Sequence, residues 1–263
     1  MELAFERRGS GPPLILVHGI GHHWQAWLPV MDRLAASHDV IAVDLPGFGN
    51  SPELPAGTPY TAESLADAVE SFCALLDVRE PHVAGNSLGG HLALELASRG
   101  VVRTATAISP AGFWSRSELL WCQNVLRSMR ASAESASGAH RLGHLLSSEA
   151  VGFVGAALMV AHPSRLSPVA LAAATQALAS APGFHPTLES FSCMMPPAPP
   201  KTPITIAWGA HDRLLLRRQA VRAAKWSGQR VKLLQGCGHV PMSDDPELIA
   251  RVILEGSDPR LPA

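Results

Sequence analysis

The most informative motif of the chain is Gly85-Asn86-Ser87-Leu88-Gly89-Gly90. It follows the short apolar run Pro81-His82-Val83-Ala84 and precedes a helical pattern from His91 to Ala97. This order predicts a strand that turns sharply into a helix, with a serine at the apex of the turn. So tight a turn needs small residues two positions before and two positions after the serine, and both are glycine.

The pattern G-x-S-x-G at a strand-to-helix turn is typical of a nucleophile elbow. A helix that begins beneath Ser87 favours negative charge at its N-terminus. Ser87 is therefore the predicted nucleophile. The chain's cysteines are weaker alternatives, because they are scattered and lie in no motif, and we interpret them as reduced, small apolar residues: Cys73, Cys122, Cys193 and Cys237.

Six short apolar runs predict strands: Leu14–Val17, Val40–Val43, Val83–Ala84, Thr104–Ile108, Ile204–Trp208 and Val231–Leu234. Continuous apolar runs are typical of parallel strands that are buried on both faces. Helical patterns separate the runs, among them Trp24–Ala36, Thr61–Leu76 and Glu247–Glu255, with Thr61 and Asp245 as candidate N-caps. The sequence therefore predicts an α/β fold, with an open, mostly parallel sheet and helices on both faces.

Residues 113–200 interrupt this alternation. The segment is rich in Ala, Ser and Leu and ends in Met195-Pro196-Pro197-Ala198-Pro199-Pro200. We interpret it as a helical cap inserted over the strand ends, within a core formed by residues 1–112 and 201–263. Ordinary crossover helices with a flexible loop are the alternative.

A serine hydroxyl needs a base within hydrogen-bond reach, and that base needs an orienting acid. His239 is the predicted base, because it follows the last strand in the glycine-flanked loop Gln235–Pro241. Asp212 is the predicted acid, in the loop after the fifth strand. Asp44 lies at the same level on another strand and is the alternative acid. Asp244 and Asp245 are too near His239 along the chain and are interpreted as helix-capping residues.

An oxyanion needs preorganised N–H donors. The predicted donors are the backbone N–H groups of Leu88 and Ile20, with Gly21 as the alternative to Ile20. The pair His22-His23 is a candidate for metal binding, but no third ligand stands at a useful spacing and no H-E-x-x-H motif is present. We therefore expect no metal and no cofactor.

Taken together, these motifs resemble the α/β-hydrolase superfamily. The matching stretches are His18–Gly21, Asp44–Ser51, Gly85–Gly90, Trp208–Asp212 and Gly236–His239. The resemblance implies a mostly parallel sheet of about eight strands, no cofactor and acyl-enzyme chemistry. The N-terminal segment is short for the first strand pair of the superfamily, so the first strand is expected to be missing.

The leading functional hypothesis is a serine hydrolase that cleaves a carboxylic ester of a small, largely apolar substrate. The candidate pocket residues are Phe113, Trp114, Phe184, Val240 and Met242. The elbow is also similar to that of meta-cleavage-product hydrolases, which break C–C bonds. Those enzymes commonly carry tryptophan just after the catalytic histidine, where Val240 stands here. A non-catalytic ligand-binding protein on this fold is a third hypothesis.

Composition sets the remaining expectations. The chain has 263 residues and a formal net charge of -1. No basic stripe is present, which argues against nucleic acid as a partner. Neither a signal peptide nor an apolar run long enough to span a bilayer is visible. We therefore expect a cytoplasmic protein that acts on a small molecule, with its oligomeric state open.

Overall fold

The computed structural model describes residues 1–141 and 155–258. Within them, seven strands form one sheet in the order β1-β3-β2-β4-β5-β6-β7. Strands β2 to β7 are parallel, and β1 pairs antiparallel with β3 at one edge. Their bounds are β1 Phe5–Gly9, β2 Pro13–Val17, β3 Asp39–Val43, β4 His82–Asn86, β5 Thr104–Ile108, β6 Ile204–Gly209 and β7 Lys232–Leu234. The predicted α/β class and mostly parallel sheet are confirmed.

The antiparallel strand β1 was not predicted, because its sequence Phe-Glu-Arg-Arg-Gly lacks an apolar run. Its charged side chains suit an exposed sheet edge, where they discourage pairing with another chain. Arg7 forms an ion pair with Asp39 of the neighbouring strand at 2.6 Å. The described sheet thus has one strand fewer than the superfamily resemblance implies.

The helices lie on both faces of the sheet, as the sequence predicts. They are α1 Leu28–Ala35, α2 Ala62–Leu75, α3 Leu88–Arg99, α4 Arg116–Arg141, α5 Pro168–Ser180, α6 Phe184–Ser190, α7 Arg218–Ser227 and α8 Pro246–Gly256. Alternate residues of β2 point to opposite faces: Leu14 and Leu16 join one apolar core with α1 and α8, whereas Ile15 and Val17 join another with α2, α3 and α7.

Local side-chain interactions determine where the helices begin. Thr61 Oγ1 accepts a hydrogen bond from Ser64 N at 3.3 Å, and Asp245 Oδ1 accepts one from Leu248 N at 2.9 Å, so both predicted N-caps are present. The predicted helix over residues 24–36 is divided in two. Trp24–Trp27 forms a 3₁₀ turn, and α1 follows with Pro29 in its first turn, where the missing N–H costs nothing.

Helices α4, α5 and α6 lie between β5 and β6 in the sequence, together with helical residues 155–159. The buried carboxylate of Glu118 accepts hydrogen bonds from Arg218 and Arg222 and so attaches the start of α4 to α7. Arg130 of α4 donates to the carbonyls of Leu178 and Ala181 at the end of α5. Among the described residues, no helix has both the length and the hydrophobicity needed to cross a membrane.

Candidate active site

Ser87 occupies a strained turn between β4 and α3. Its φ is +58°, a conformation that residues other than glycine rarely adopt. A Cβ on Gly85 would lie 2.0 Å from Gly89 O, and a Cβ on Gly89 would lie 2.0 Å from Val17 O. Only glycine therefore fits on either side of the serine, which is the physical basis of the motif.

Asp212 and His239 meet at the carboxyl edge of the sheet. Because β6 and β7 are neighbours, the loops that follow them lie side by side. Asp212 Oδ2 is 2.8 Å from His239 Nδ1, and both side chains are buried. Asp212 Oδ1 accepts the N–H groups of Leu214 and Leu215 at 3.0 and 2.8 Å, which fixes the carboxylate. With Nδ1 held, the other ring nitrogen, Nε2, is left for proton transfer.

In Asp44, the alternative acid, both carboxylate oxygens accept hydrogen bonds from backbone N–H groups. Oδ1 accepts Trp24 N at 2.7 Å and Oδ2 accepts Asn50 N at 2.8 Å. A Cβ on Gly49 would lie 2.1 Å from Oδ2, so the loop wraps tightly around this carboxylate. Asp44 thus organises the loop after β3.

Asp244 is the C-cap of the 3₁₀ turn Pro241–Ser243, with its N–H donating to Pro241 O at 3.0 Å, and Asp245 is the N-cap of α8, so both residues lie at helix ends as interpreted. The Asp244 carboxylate also accepts three backbone N–H groups: Gly238 at 2.8 Å, Ala161 at 3.0 Å and His162 at 2.8 Å. It thereby joins the loop that carries His239 to residues 161–162. Val240 N also donates to Met159 O at 2.8 Å, which strengthens the same connection.

The loop after β2 lies against Ser87, since a Cβ on Gly19 would be 3.1 Å from Ser87 Cβ. Buried His18 orders this loop. Its Nε2 accepts Leu45 N at 2.9 Å, and its Nδ1 lies 2.7 Å from Gly19 O. Burial lowers the pKa of His18 to about 4, so the ring is neutral near pH 7 and Nδ1 carries the donated hydrogen.

The carbonyl of Gly19 is therefore held by His18 Nδ1, and His22 N donates to it as well at 3.2 Å. In a trans peptide the next N–H, that of Ile20, points away from this carbonyl, so its direction is fixed too. Leu88 begins α3, and its N–H has no acceptor within the helix. Both predicted oxyanion donors thus belong to ordered backbone beside Ser87.

Asn86 is a functional candidate that the sequence reasoning missed. Its Nδ2 donates to His239 O at 2.9 Å and to Ile108 O at 3.2 Å. It therefore joins the elbow to the loop of the predicted base. Its position between the glycine and the serine of the motif is the only sequence signal for this role.

Ser87, His239 and Ile20 all line one cavity of about 940 Å³. Its other walls come from α4, α5 and residues 155–160. Val240, a predicted pocket residue, lies on this wall. The other four predicted pocket residues are not among the described wall residues: Phe113, Trp114, Phe184 and Met242.

Each of those four side chains is packed elsewhere. Phe113 contacts Trp226 edge to face at 5.4 Å between ring centroids, and Trp114 packs against Phe191 at 5.2 Å. Phe184 is fully buried under Arg130, and Met242 belongs to the core between the sheet, α1 and α8. Sequence alone could not separate the two environments, because large apolar residues near strand ends also complete the core.

The described wall carries no Lys, Arg, Asp or Glu side chain. Burial lowers the pKa of His22, on the wall, to about 3, so this histidine is neutral near pH 7. The pair His22-His23 begins the 3₁₀ turn: His22 Nδ1 accepts His23 N at 3.1 Å, and His23 Nδ1 accepts Gln25 N at 3.2 Å. Within the described residues, no three His, Cys, Asp or Glu side chains are grouped to hold a metal ion.

Several curated relatives are similar to this chain over different fractions of its length. An uncharacterized protein of Mycobacterium tuberculosis is 26% identical over 99% of this chain and 79% of its own length. The pimeloyl-[acyl-carrier protein] methyl ester esterase of Aeromonas salmonicida is 38% identical over 45% of this chain and 46% of its own. The 2-hydroxymuconate semialdehyde hydrolase of a Pseudomonas strain is 40% identical over 35% of this chain and 33% of its own.

Among solved structures, a bacterial membrane phospholipase A superimposes with a TM-score of 0.78 at 26% identity, over 97% of this chain and 82% of that chain. The sequence profile described as the alpha/beta hydrolase family matches residues 14–252. The match extends from β2 to α8 and includes the elbow and the loops that carry Asp212 and His239. The chain is therefore a member of the alpha/beta hydrolase family.

Proposed function

We propose that this protein is a serine hydrolase that cleaves a carboxylic ester of a neutral, largely apolar substrate through an acyl-enzyme. The observation that carries the proposal is the buried Asp212–His239 pair, 2.8 Å apart, whose imidazole lines the same cavity as Ser87; the described wall of that cavity carries no Lys, Arg, Asp or Glu side chain. An esterase among the relatives adds support.

In the proposed reaction, Ser87 Oγ attacks the acyl carbon and gives its proton to His239 Nε2. Asp212 holds the ring and stabilises the imidazolium, while the N–H groups of Leu88 and Ile20 bind the oxyanion. The tetrahedral intermediate expels the alcohol, which takes the proton from His239. Water then attacks the acyl carbon with His239 again as base, and the acid is released as Ser87 regains its proton.

We further propose that residues 113–200 act as a cap over this site. The cavity lies between the loops at the strand ends and helices α4 and α5. Asp244 and Val240 fasten residues 159–162 to the loop of His239, so the position of the cap and that of the proposed base are coupled.

A C–C bond hydrolase is the second candidate, since the 2-hydroxymuconate semialdehyde hydrolase is 40% identical over the segment that it matches. Two features favour the ester instead. Val240 stands where those hydrolases commonly carry tryptophan. The described wall also offers no cationic side chain, which an anionic dienoate would need when it is buried in so apolar a cavity.

The test is covalent labelling with a fluorophosphonate probe, which modifies activated serines. We expect the wild type to be labelled and to hydrolyse p-nitrophenyl esters, and Ser87→Ala to do neither while it keeps the wild-type melting temperature. Labelling that persists in Ser87→Ala would contradict the assignment of the nucleophile. Faster turnover of a ring-cleavage dienoate than of any ester would favour the C–C hydrolase.

A further inference from the structure

The length of the cavity distinguishes among the esters that the proposed function allows. Wall residues of α4 extend from Trp121 to Ala133, a rise of about 18 Å at 1.5 Å per residue. The volume of about 940 Å³ approaches the upper end of the range for ligand pockets. An acetyl or other short acyl group would leave most of this apolar space without contacts.

The two ends of the cavity lie over different parts of the site. At one end, Trp121 Nε1 donates to Arg213 O at 3.1 Å, beside the predicted acid. At the other end, Arg130 binds the carbonyl of Leu178, and Leu178 Cδ1 lies 2.5 Å from where a Cβ on Gly21 would be. The cavity therefore reaches from the acid loop to the loop beside Ser87, and its long dimension follows α4.

The wall is aliphatic and adaptable. Trp121 is the only Phe, Tyr or Trp among the described wall residues. Small alanines of α5 and flexible side chains such as those of Met129 and Met159 both line the cavity. A wall of this kind suits an extended alkyl chain better than a rigid ring, whose flat faces favour aromatic partners.

Uncharged polar side chains mark the solvent-exposed rim. Asn124 and Ser128 lie one turn apart on α4, and Gln25 lies on the 3₁₀ turn; all three are exposed and line the cavity. Such groups hydrogen-bond to hydroxyls without requiring a charge. Leu28, Trp121 and Val169 are also exposed on the wall, so an apolar chain meets apolar surface as it enters.

We propose that the substrate is a neutral ester of one long-chain fatty acid with a hydroxyl-bearing alcohol, of the monoacylglycerol kind. The alkyl chain occupies the cavity along α4, and the alcohol lies at the uncharged rim. This inference rests on the proposed function, because it names the substrate class of the same serine hydrolase site.

The first experiment measures kcat/KM of the wild type for p-nitrophenyl esters from acetate to hexadecanoate. We expect the value for the dodecanoate to exceed that for the acetate by at least about tenfold, since each buried methylene adds binding energy in the transition state. A profile that is flat or highest for the acetate would overturn the proposal. This measurement requires no variant, so it does not depend on the folding of one.

A matched pair of variants on α4 tests where the alkyl chain of the substrate lies. Ala133 is buried on the wall, whereas Ala131 is exposed and is not among the wall residues. Ala133→Phe should lower the ratio of kcat/KM for the dodecanoate to that for the acetate by about tenfold or more. Ala131→Phe should change neither. Equal loss for both esters, or loss for neither, would contradict the placement of the chain.

Because Phe at a buried position can overpack, a second pair is tested on α5. Ala174→Leu fills the wall, and Ala172→Leu changes the exposed side of the same helix. The same length-selective loss is expected from Ala174→Leu alone. Melting temperatures of all four variants separate a blocked cavity from a damaged fold.

The alcohol is tested with 1-dodecanoylglycerol and with 1-dodecanoyl-lysophosphatidylglycerol, which bears an anionic phosphate. We expect the neutral ester to be hydrolysed at least about tenfold more efficiently, since the described part of the rim has no cationic side chain to bind a phosphate. The opposite preference would overturn the proposal that the alcohol is neutral.

If short esters are cleaved and Ser87 is labelled without a long-chain preference, only this inference fails. If no ester is cleaved and Ser87 is not labelled, the proposed function fails with it.

Discussion

Three buried aspartates near the carboxyl edge of the sheet differ in the groups to which their carboxylates are hydrogen-bonded. Asp212 faces an imidazole, Asp44 accepts two loop N–H groups, and Asp244 accepts three N–H groups from two separate segments. Sequence position alone left Asp44 open as the acid. Their hydrogen-bond partners distinguish the three, because among the described residues only the carboxylate of Asp212 is hydrogen-bonded to a titratable ring.

Asp212→Asn should lower kcat by up to about 10⁴-fold, the loss found when the equivalent aspartate of serine proteases is replaced. The amide cannot stabilise the imidazolium and favours the wrong tautomer of His239. The melting temperature should change little. Steady-state kinetics with a p-nitrophenyl ester and a thermal melt check both parts.

Asp44→Asn is the matched control, since it makes the same chemical change at a buried carboxylate of the same sheet edge. Its amide NH₂ would face a backbone N–H, so we expect a loss of about 1–3 kcal/mol in the free energy of unfolding and less than about tenfold in kcat. If Asp44→Asn abolished turnover while Asp212→Asn stayed active, the acid would be misassigned.

Asp244→Asn tests the connection between the loop of His239 and residues 161–162. We expect a lower melting temperature, because one of the three N–H groups loses its acceptor. We also expect kcat to fall by less than about 100-fold, because the ring of His239 keeps Asp212. A loss of kcat as large as that of Asp212→Asn would show that Asp244 has a direct part in catalysis.

At the scale of single elements, the elbow could be predicted because all its determinants are local. The glycine spacing, the apolar run before it and the helical pattern after it lie within a few residues of Ser87. Strand β1 could not be predicted, because its charged side chains are typical of loops and only its partner β3 makes it a strand. The bridge from Asn86 to His239 joins residues 153 positions apart, a distance over which local pattern carries no information.

Gly89→Ala tests the elbow as an element. The new methyl would lie 2.0 Å from the carbonyl of Val17, so either the first turn of α3 or strand β2 would have to shift. We expect a loss of several kcal/mol in the free energy of unfolding, or no soluble protein at all. Urea denaturation followed by circular dichroism measures it.

Gly155→Ala is the comparison for that substitution. Gly155 is helical, and the atom nearest to its added Cβ would be Met129 Cε at 3.6 Å, an ordinary contact. This variant should be as stable as the wild type, or more stable by up to about 1 kcal/mol, since alanine favours the helix. Equal stabilities of the two glycine variants would contradict the steric account of the elbow.

At the scale of the whole molecule, strand topology decides which predicted site residues lie close together. Parallel neighbours β6 and β7 bring Asp212 and His239 together, and the sequence order of the strands was enough to predict this. The residues that line the cavity could not be predicted from the order of the strands. Whether Phe113 or Met242 faces a ligand or the core depends on how α1, α7 and α8 pack, and the apolar pattern is the same in both cases.

Buried neutral histidines link the stability of the whole molecule to pH. Burial is the main cause that lowers the pKa of His18 and His82 to about 4 and that of His22 to about 3, from an ordinary value of 6.5. The unfolded chain therefore binds protons below pH 6.5 that the folded chain does not. Stability is complete above pH 6.5 and declines as the pH falls towards 4, by up to about 1.4 kcal/mol per pH unit for each histidine.

His82→Gln tests this linkage away from the proposed active site. His82 lies at the start of β4, with Nδ1 2.8 Å from Thr104 Oγ1, and nearby His38 and Arg103 lower its pKa further. We expect the free energy of unfolding of His82→Gln, measured in urea at pH 6.5 and pH 5, to fall less on acidification than that of the wild type. The difference should approach about 1.4 kcal/mol per pH unit. His211→Gln, at an exposed position, should keep the wild-type dependence. An unchanged dependence in His82→Gln would mean that other groups control the response to acid.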